Sequence, residues 1–342
     1  MDLLRGSAVV MVVLLHASLT TDAETAWVVN DLLRPYRMPT LMVLSGLLLQ
    51  RSLAKGTRRY LLGKLRGVVW PWLLWTVVMV LLLTERWQAD PVGFLAVGTH
   101  LWFLAALGAS YGVALLTREI PPLLVAFGLF SGAGLLQDQY GALTTYLWYS
   151  AFFFVGAALP TVLDRWLAAR PLWPLVLTGV SLLGAVWQVP RGLYVPFRPD
   201  QALISVAGVL AAIWLAARLP RSAPVLALEW VGRNSIVTYL AHAPLLVPVG
   251  AAVDRIGLGP TGSTLLSFVV ALAVSMALTL ARPWTGWLYS MPPMALPGAA
   301  AVLAAVIRMA ALPADVTRPT PLRPAAIRRV VGMPVESAPA NQ

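Results

Sequence analysis

Apolar runs of roughly 16 to 20 residues, joined by short connections that hold most of the charges, recur from the first residues of this chain to about position 281. Nothing constrains its fold more. A helix of that length satisfies its own backbone hydrogen bonds while its side chains match a hydrocarbon layer. A large soluble core is the competing reading, but soluble domains carry about 25% charged residues, and here the figure is 11% against 59% hydrophobic. The expectation is an all-α polytopic membrane protein of about ten transmembrane helices. They fall near residues 3–20, 34–50, 67–84, 100–117, 121–136, 146–163, 172–190, 201–217, 235–253 and 263–281.

The charges predict orientation. With the N-terminus in the cytoplasm, Arg51, Lys55, Arg58, Arg59, Lys64, Arg66, Arg118, Arg165, Arg170, Arg218, Arg221 and Arg233 lie in inner connections, while outer ones hold Arg86, Arg191, Arg198 and Arg255. That asymmetry follows the positive-inside rule. Three regions are expected: a transmembrane domain over 1–283, an interfacial helix or extra span over 284–311, and a disordered basic cytoplasmic tail over 312–342, rich in Pro, Ala and Arg. The first segment has no small-residue cleavage site and should remain in the mature protein.

Composition also narrows the chemistry. The chain has no cysteine, which removes disulfides, thiolate nucleophiles and Cys-based metal sites. The net charge of +11 is sorted by membrane side rather than gathered on a soluble face with interleaved aromatics, so nucleic acid is not an expected partner. No HxxxH or ExxH spacing predicts a metal, and no Walker loop or dinucleotide glycine pattern follows a strand.

The ionisable groups inside apolar runs are the candidates that remain. In DLLRGSAVVMVVLLHASL, Arg5 and His16 stand eleven residues apart. On a helix that spacing closes almost three turns and puts both on one face, roughly 16 Å apart along the axis. An ionisable group in hydrocarbon costs about 2.5–3.5 kcal/mol on insertion scales, so the stripe should face protein or a wet cavity. Arg5 has a plainer reading as well, since it can reach the headgroups or pair with Asp2. Against that, Gly6 lets a helix or ligand approach beside it.

Histidine changes charge near neutral pH, which makes it the natural general base of this set. Only His16, His100 and His242 exist, all in or beside predicted spans. For His242, in SIVTYLAHAPLL, a structural bridge between helices is the favoured reading. In RPYRMPTLMVLSGLLL, Arg34 and Arg37 are expected at the outer mouth, and Ser45 and Gly46 as small residues for close packing. Ser45 has no GxSxG context and is not expected to be a nucleophile. The run from Arg51 to Arg66 holds six positive and no negative charges; it would set topology or hold phosphate. Trp102, beside His100 in THLWFLAAL, fits either an interfacial belt or a pocket wall.

Taken in order, DLLRG with His16, RMPTLMVLSGLLL, KLRGVVWPWLLW, HLWFLAAL and LEWVGRNSIVTYLAHAPLL resemble the acyltransferase-3 family of integral-membrane acyltransferases, more narrowly its sugar O-acetylase branch. The resemblance implies an acyl-CoA-dependent O-acetyltransferase domain over 1–283. It would move an acetyl or short acyl group from cytoplasmic acyl-CoA to a hydroxyl of a cell-envelope glycan or lipid-linked sugar. The family's paired Arg and His fall on Arg5 and His16, its basic stretch on Lys64 and Arg66, and its fourth-helix tryptophan on Trp102; the expected site thus has His16 and Arg5 as catalytic residues, Lys64, Arg66 and Arg59 as acyl-CoA contacts, and Arg37, Ser45, His100, Trp102 and His242 around the substrate pocket. Partners would be acyl-CoA, the glycan acceptor and lipid, with no tightly bound cofactor and no metal, in the plasma membrane. The chain departs from the family in having Arg37 where many members carry an aromatic or His before the MP pair. Its N-terminus is also shorter than usual, which raises a start upstream of Met1. From the residues alone a transporter of a small anionic solute, using Arg5 and His16 in a polar cavity, stays open beside the enzyme.

Overall fold

The structure is a computed structural model and describes residues 1–19, 21, 24–137, 141–188 and 197–292. Among these residues there are helices and turns and no strand. The main helices are α1 (Asp2–Ser18), α2 (Glu24–Gly46), α3 (Thr57–Lys64), α4 (Trp70–Leu82), α5 (Trp102–Leu116), α6 (Pro122–Leu135), α7 (Gly141–Ala158), α8 (Leu172–Gln188), α9 (Pro199–Ala216), α10 (Ala223–Arg233), α11 (Ser235–Ile256) and α12 (Pro260–Leu280). Each of the ten segments expected from the sequence overlaps a helix. Five stretches are long and apolar enough by themselves to cross a membrane: Thr57–Leu82, Gly141–Thr161, Pro199–Ala216, Ser235–Val253 and Pro260–Leu280. The helices over Trp102–Leu116, Pro122–Leu135 and Leu172–Gln188 are apolar but shorter.

Surface and interior are reversed relative to a soluble protein. Leu116 is 86% exposed, Leu135 81% and Phe127 71%, whereas Ser18, Ser110, Thr144, His242 and Ser267 are completely buried. In water such an apolar surface would drive aggregation; against lipid it is the expected outer face. The polar groups inside bond across helices, as between Ser110 and Ser150 at 2.8 Å.

Two glycine contacts set the closest helix approaches. A Cβ at Gly6 would lie 2.0 Å from the Leu228 carbonyl oxygen, and one at Gly232 would lie 1.8 Å from that of Asp2. Thus α1 and α10 meet backbone to backbone, and Gly6 serves a helix, not a ligand. Gly46 and Gly156 do the same for α2 and α7, with distances of 1.8 Å to Phe153 O and 2.0 Å to Val43 O. Backbones that approach this far gain dispersion over their whole length, which is how helices associate where lipid removes the hydrophobic drive.

Three sequence expectations change. The second span was expected at 34–50, but α2 begins at Glu24 and ends at Gly46, with a separate short helix over Leu49–Leu53. Its extra turns carry Asp31, which pairs at 2.7 Å with Arg34 at the expected start. The third span starts ten residues earlier, because α3 runs through a π-helical turn, Leu65–Val69, into α4. The expected interfacial helix or extra span over 284–311 is described only to residue 292. Up to there, short turns of helix (Arg282–Thr285, Gly286–Leu288) are tied to α4: the Trp70 and Trp75 indoles donate to the carbonyls of Trp287 and Leu288 at 2.7 and 2.9 Å. The expected tail lies outside the described residues.

Candidate active site

The three histidines of the chain meet in one buried cluster. Ring centroids are 4.8 Å apart for His16 and His242, 5.1 Å for His100 and His242, and 6.4 Å for His16 and His100. His242, for which a bridge between helices is the favoured reading from sequence, stands edge-on against His16 of α1. Tyr239, one turn before it on α11, is packed on both His100 and His242.

Helix chemistry explains how α11 holds His100. Pro244 has no N–H, so the carbonyl four residues earlier, at Leu240, loses its helical donor. The His100 Nε2–H takes that place at 3.3 Å. In return the Tyr239 hydroxyl donates to the His100 carbonyl. One residue just before α5 is thus clasped from both sides by α11, and His100 Nδ1 is left buried with no hydrogen-bond partner. His16 and His242 are fixed differently, each by the carbonyl one turn back on its own helix. Nδ1 of His16 lies 2.9 Å from Val12 O, and Nδ1 of His242 lies 3.1 Å from Thr238 O.

Arg37 is not at an outer mouth. It is 4% exposed, and its guanidinium donates to Asn30 Oδ1 at 2.7 Å. Asn30 donates onward to Ser18 Oγ at 2.5 Å, and Ser18 to Leu15 O at 2.7 Å. A buried charge is tolerated only when hydrogen-bonded. This relay supplies the bonds, ties α2 to the end of α1 that carries His16, and keeps a positive charge in electrostatic range of that ring.

At the other end of α1, Arg5 pairs with Asp2 at 3.3 Å, both partly exposed, as its plainer reading foresaw. Arg5 also lines a cavity of about 140 Å³ with Ser45, Gly67, Phe103, Ser235 and Tyr239 among its walls. The cavity therefore leads from Arg5 to the tyrosine that touches the histidines. Ser45 contributes a wall and no nucleophile, since its hydroxyl donates to Leu41 O at 2.7 Å. A larger, more open groove of about 540 Å³, lined by Ala227, Trp230, Ala273, Met276, Ala277 and Leu280, offers no group that acts on an acyl donor.

The basic residues divide. Lys64 lies over the Tyr111 ring, 3.6 Å from its centroid, and Tyr60 braces that ring's residue by donating to its carbonyl at 2.7 Å. Arg66 sits in the π-helical turn, half-buried, with Nε lacking a partner. Arg59 is exposed and lines no part of the cavity. Trp102 packs on Tyr149 at 4.9 Å and is not a wall of the cavity either. Among the described residues, no group of three or more His, Asp or Glu is arranged to hold a metal ion.

Sequence reasoning missed Tyr239, Asn30, Ser18 and Pro244. The Pro two residues after His242 was the available signal for a free carbonyl. Asn30 gave none, because it accepts from Arg37 two turns along its own helix and donates to Ser18 on a different one.

A helical bundle with an apolar outer surface and three imidazoles buried inside it defines the class as an integral membrane protein. The chain matches the acyltransferase-3 family, described as an acyltransferase domain, over residues 1–280. It belongs to that family and is a membrane acyltransferase. No curated protein and no solved structure matches it.

Proposed function

We propose that this chain transfers an acetyl or other short acyl group from cytoplasmic acyl-CoA to a hydroxyl of a cell-envelope glycan or lipid-linked sugar, as in the sugar O-acetylase branch of its family. The observation that carries the reading is the cavity that has Arg5 at one wall and Tyr239, the residue packed on His100 and His242, at another. A water occupies about 30 Å³ in the liquid, so a cavity of about 140 Å³ suits an acetyl group and not a long acyl chain. Arg66, with an unsatisfied donor, together with Lys64, Arg59 and Arg5, holds the phosphates of the donor through charge-assisted bonds. His16 deprotonates the acceptor hydroxyl or carries the acyl group itself. His100 Nδ1, a buried acceptor without a donor, is suited to receive a substrate hydroxyl.

The topology that goes with this chemistry has ten crossings, an acyltransferase domain over 1–283 and a cytoplasmic N-terminus, in the plasma membrane. Because the chain has no cysteine, single substitutions report sidedness directly. With a membrane-impermeant maleimide on intact cells, Asp90→Cys should label and Arg58→Cys should not; the reverse pattern would invert the orientation.

The enzyme itself is tested by free-thiol release from acetyl-CoA by detergent-purified protein, with and without a mixed sugar acceptor pool. Release dependent on His16 supports the reading. Binding and turnover of neither acetyl-CoA nor longer acyl-CoA would remove acyl-CoA as donor.

A further inference from the structure

The partners of the three rings fix where their protons sit. Thr238 O can only accept, so His242 Nδ1 carries a proton, and in the neutral ring Nε2 is then bare. Val12 O likewise requires the proton of His16 on Nδ1. That N–H also faces His242 Nε2 at 3.3 Å, so His16 donates to both acceptors. The opposite arrangement, with both protons on Nε2, would turn two nitrogen lone pairs toward two carbonyl oxygens in a dry interior, where unpaired acceptors are costly. His100 is assigned the other tautomer by Leu240 O: Nε2–H, with Nδ1 bare.

From this we infer that His242 is a positioning residue for His16: its Nε2 stands behind the His16 Nδ1–H, where a carboxylate stands in a Ser-His-Asp triad, and it leaves His16 Nε2 as the bare nitrogen offered to substrate. The inference rests on the reading above for its effect on turnover, but the tautomers themselves do not. When His16 Nε2 takes a proton from a hydroxyl, the imidazolium formed keeps its Nδ1–H shared between Val12 O and His242 Nε2. No bond other than the transferred O–H is broken. The charge is thereby stabilised by neutral acceptors; among the described buried residues there is no Asp or Glu to do it. A neutral acceptor suits a site whose donor substrate is polyanionic, since it adds no repelling charge.

The test uses the whole protein labelled with 15N-histidine. Three residues give three assignable imidazoles, identified by single replacements. Expected are Nδ1–H tautomers for His16 and His242 and the Nε2–H tautomer for His100; an Nε2–H tautomer at His16 overturns the inference even if the protein proves to use another donor. For turnover, His242→Phe keeps a ring but removes the acceptor, and should lower kcat on the order of ten- to a hundredfold, part of what a general base supplies, with the donor KM unchanged. His242→Gln returns an oxygen near the position of Nε2 and should recover most of that loss. If folded Phe and Gln variants are equally impaired, or Phe is fully active, His242 does not act as the acceptor. Wild-type protein with the expected tautomers but no acyl transfer would sink the proposed reaction and leave the proton assignment standing.

Discussion

The two ends of α1 solve opposite problems. At the Arg5 end the charge is half in solvent, paired with Asp2, and beside a cavity. At the His16 end the polar groups are buried, and each is answered by a carbonyl or side chain of its own helix or of a neighbour: His16 by Val12 O and His242, Ser18 by Asn30, Asn30 by Arg37. In the proposed reaction the first end would meet the charged donor and the second would keep water from the acyl transfer. A single helix connects them, and the cavity beside Arg5 reaches Tyr239, which packs on His100 and His242.

That contrast can be broken at either end, and the dry end should give the larger effects. His16→Ala should cost roughly 10²- to 10⁴-fold in turnover, with amount and melting temperature of the purified protein near wild type; normal thiol release would take His16 out of the chemistry. Gly232→Val should rank next, because its side chain meets the Asp2 carbonyl at 1.8 Å. Overpacking typically costs about 1–3 kcal/mol, to be read as a lower melting temperature in detergent; Gly128→Val, where a Cβ meets nothing within 4 Å, is the control. Arg66→Gln at the wet end removes a charged donor without opening a core. It should raise the donor KM by about tenfold, in line with the 1.5–3 kcal/mol of a charge-assisted bond reduced by exposure, and leave kcat alone. Asp2→Asn is the mildest. A partly exposed ion pair is worth about 0–1 kcal/mol, so stability should hardly move, and a large loss would mean that Asp2 acts on more than Arg5.

The wet end was more legible in the sequence than the dry one. Arg5, Asp2 and Gly6 lie within one turn and a half of each other, so local spacing gave the pairing and the close helix contact directly. The helices themselves were legible because hydropathy and the absence of charge act over twenty residues at a time. Where charges interrupt a run, as in α2, the boundaries failed: Asp31, Arg34 and Arg37 suggested a loop and a mouth, yet partners on α1 and one turn away let them stay helical. The histidine cluster was invisible for the same reason. His16 and His242 are 226 positions apart, and nothing in either local sequence says which helices become neighbours. Only Pro244, by releasing the Leu240 carbonyl, left a trace of what His100 would need.

The backbone contact of Gly6 with Gly232 also dictates when the protein becomes an enzyme during its synthesis. The helix bearing Arg5 and His16 is made well before α10 and α11, two of the helices on which it docks. Until then its two ionisable groups must be sheltered by lipid headgroups, water or the insertion machinery. A chain interrupted before residue 232 therefore carries most of its membrane mass but lacks both the Gly232 contact of α1 and the Tyr239–His242 part of the cluster.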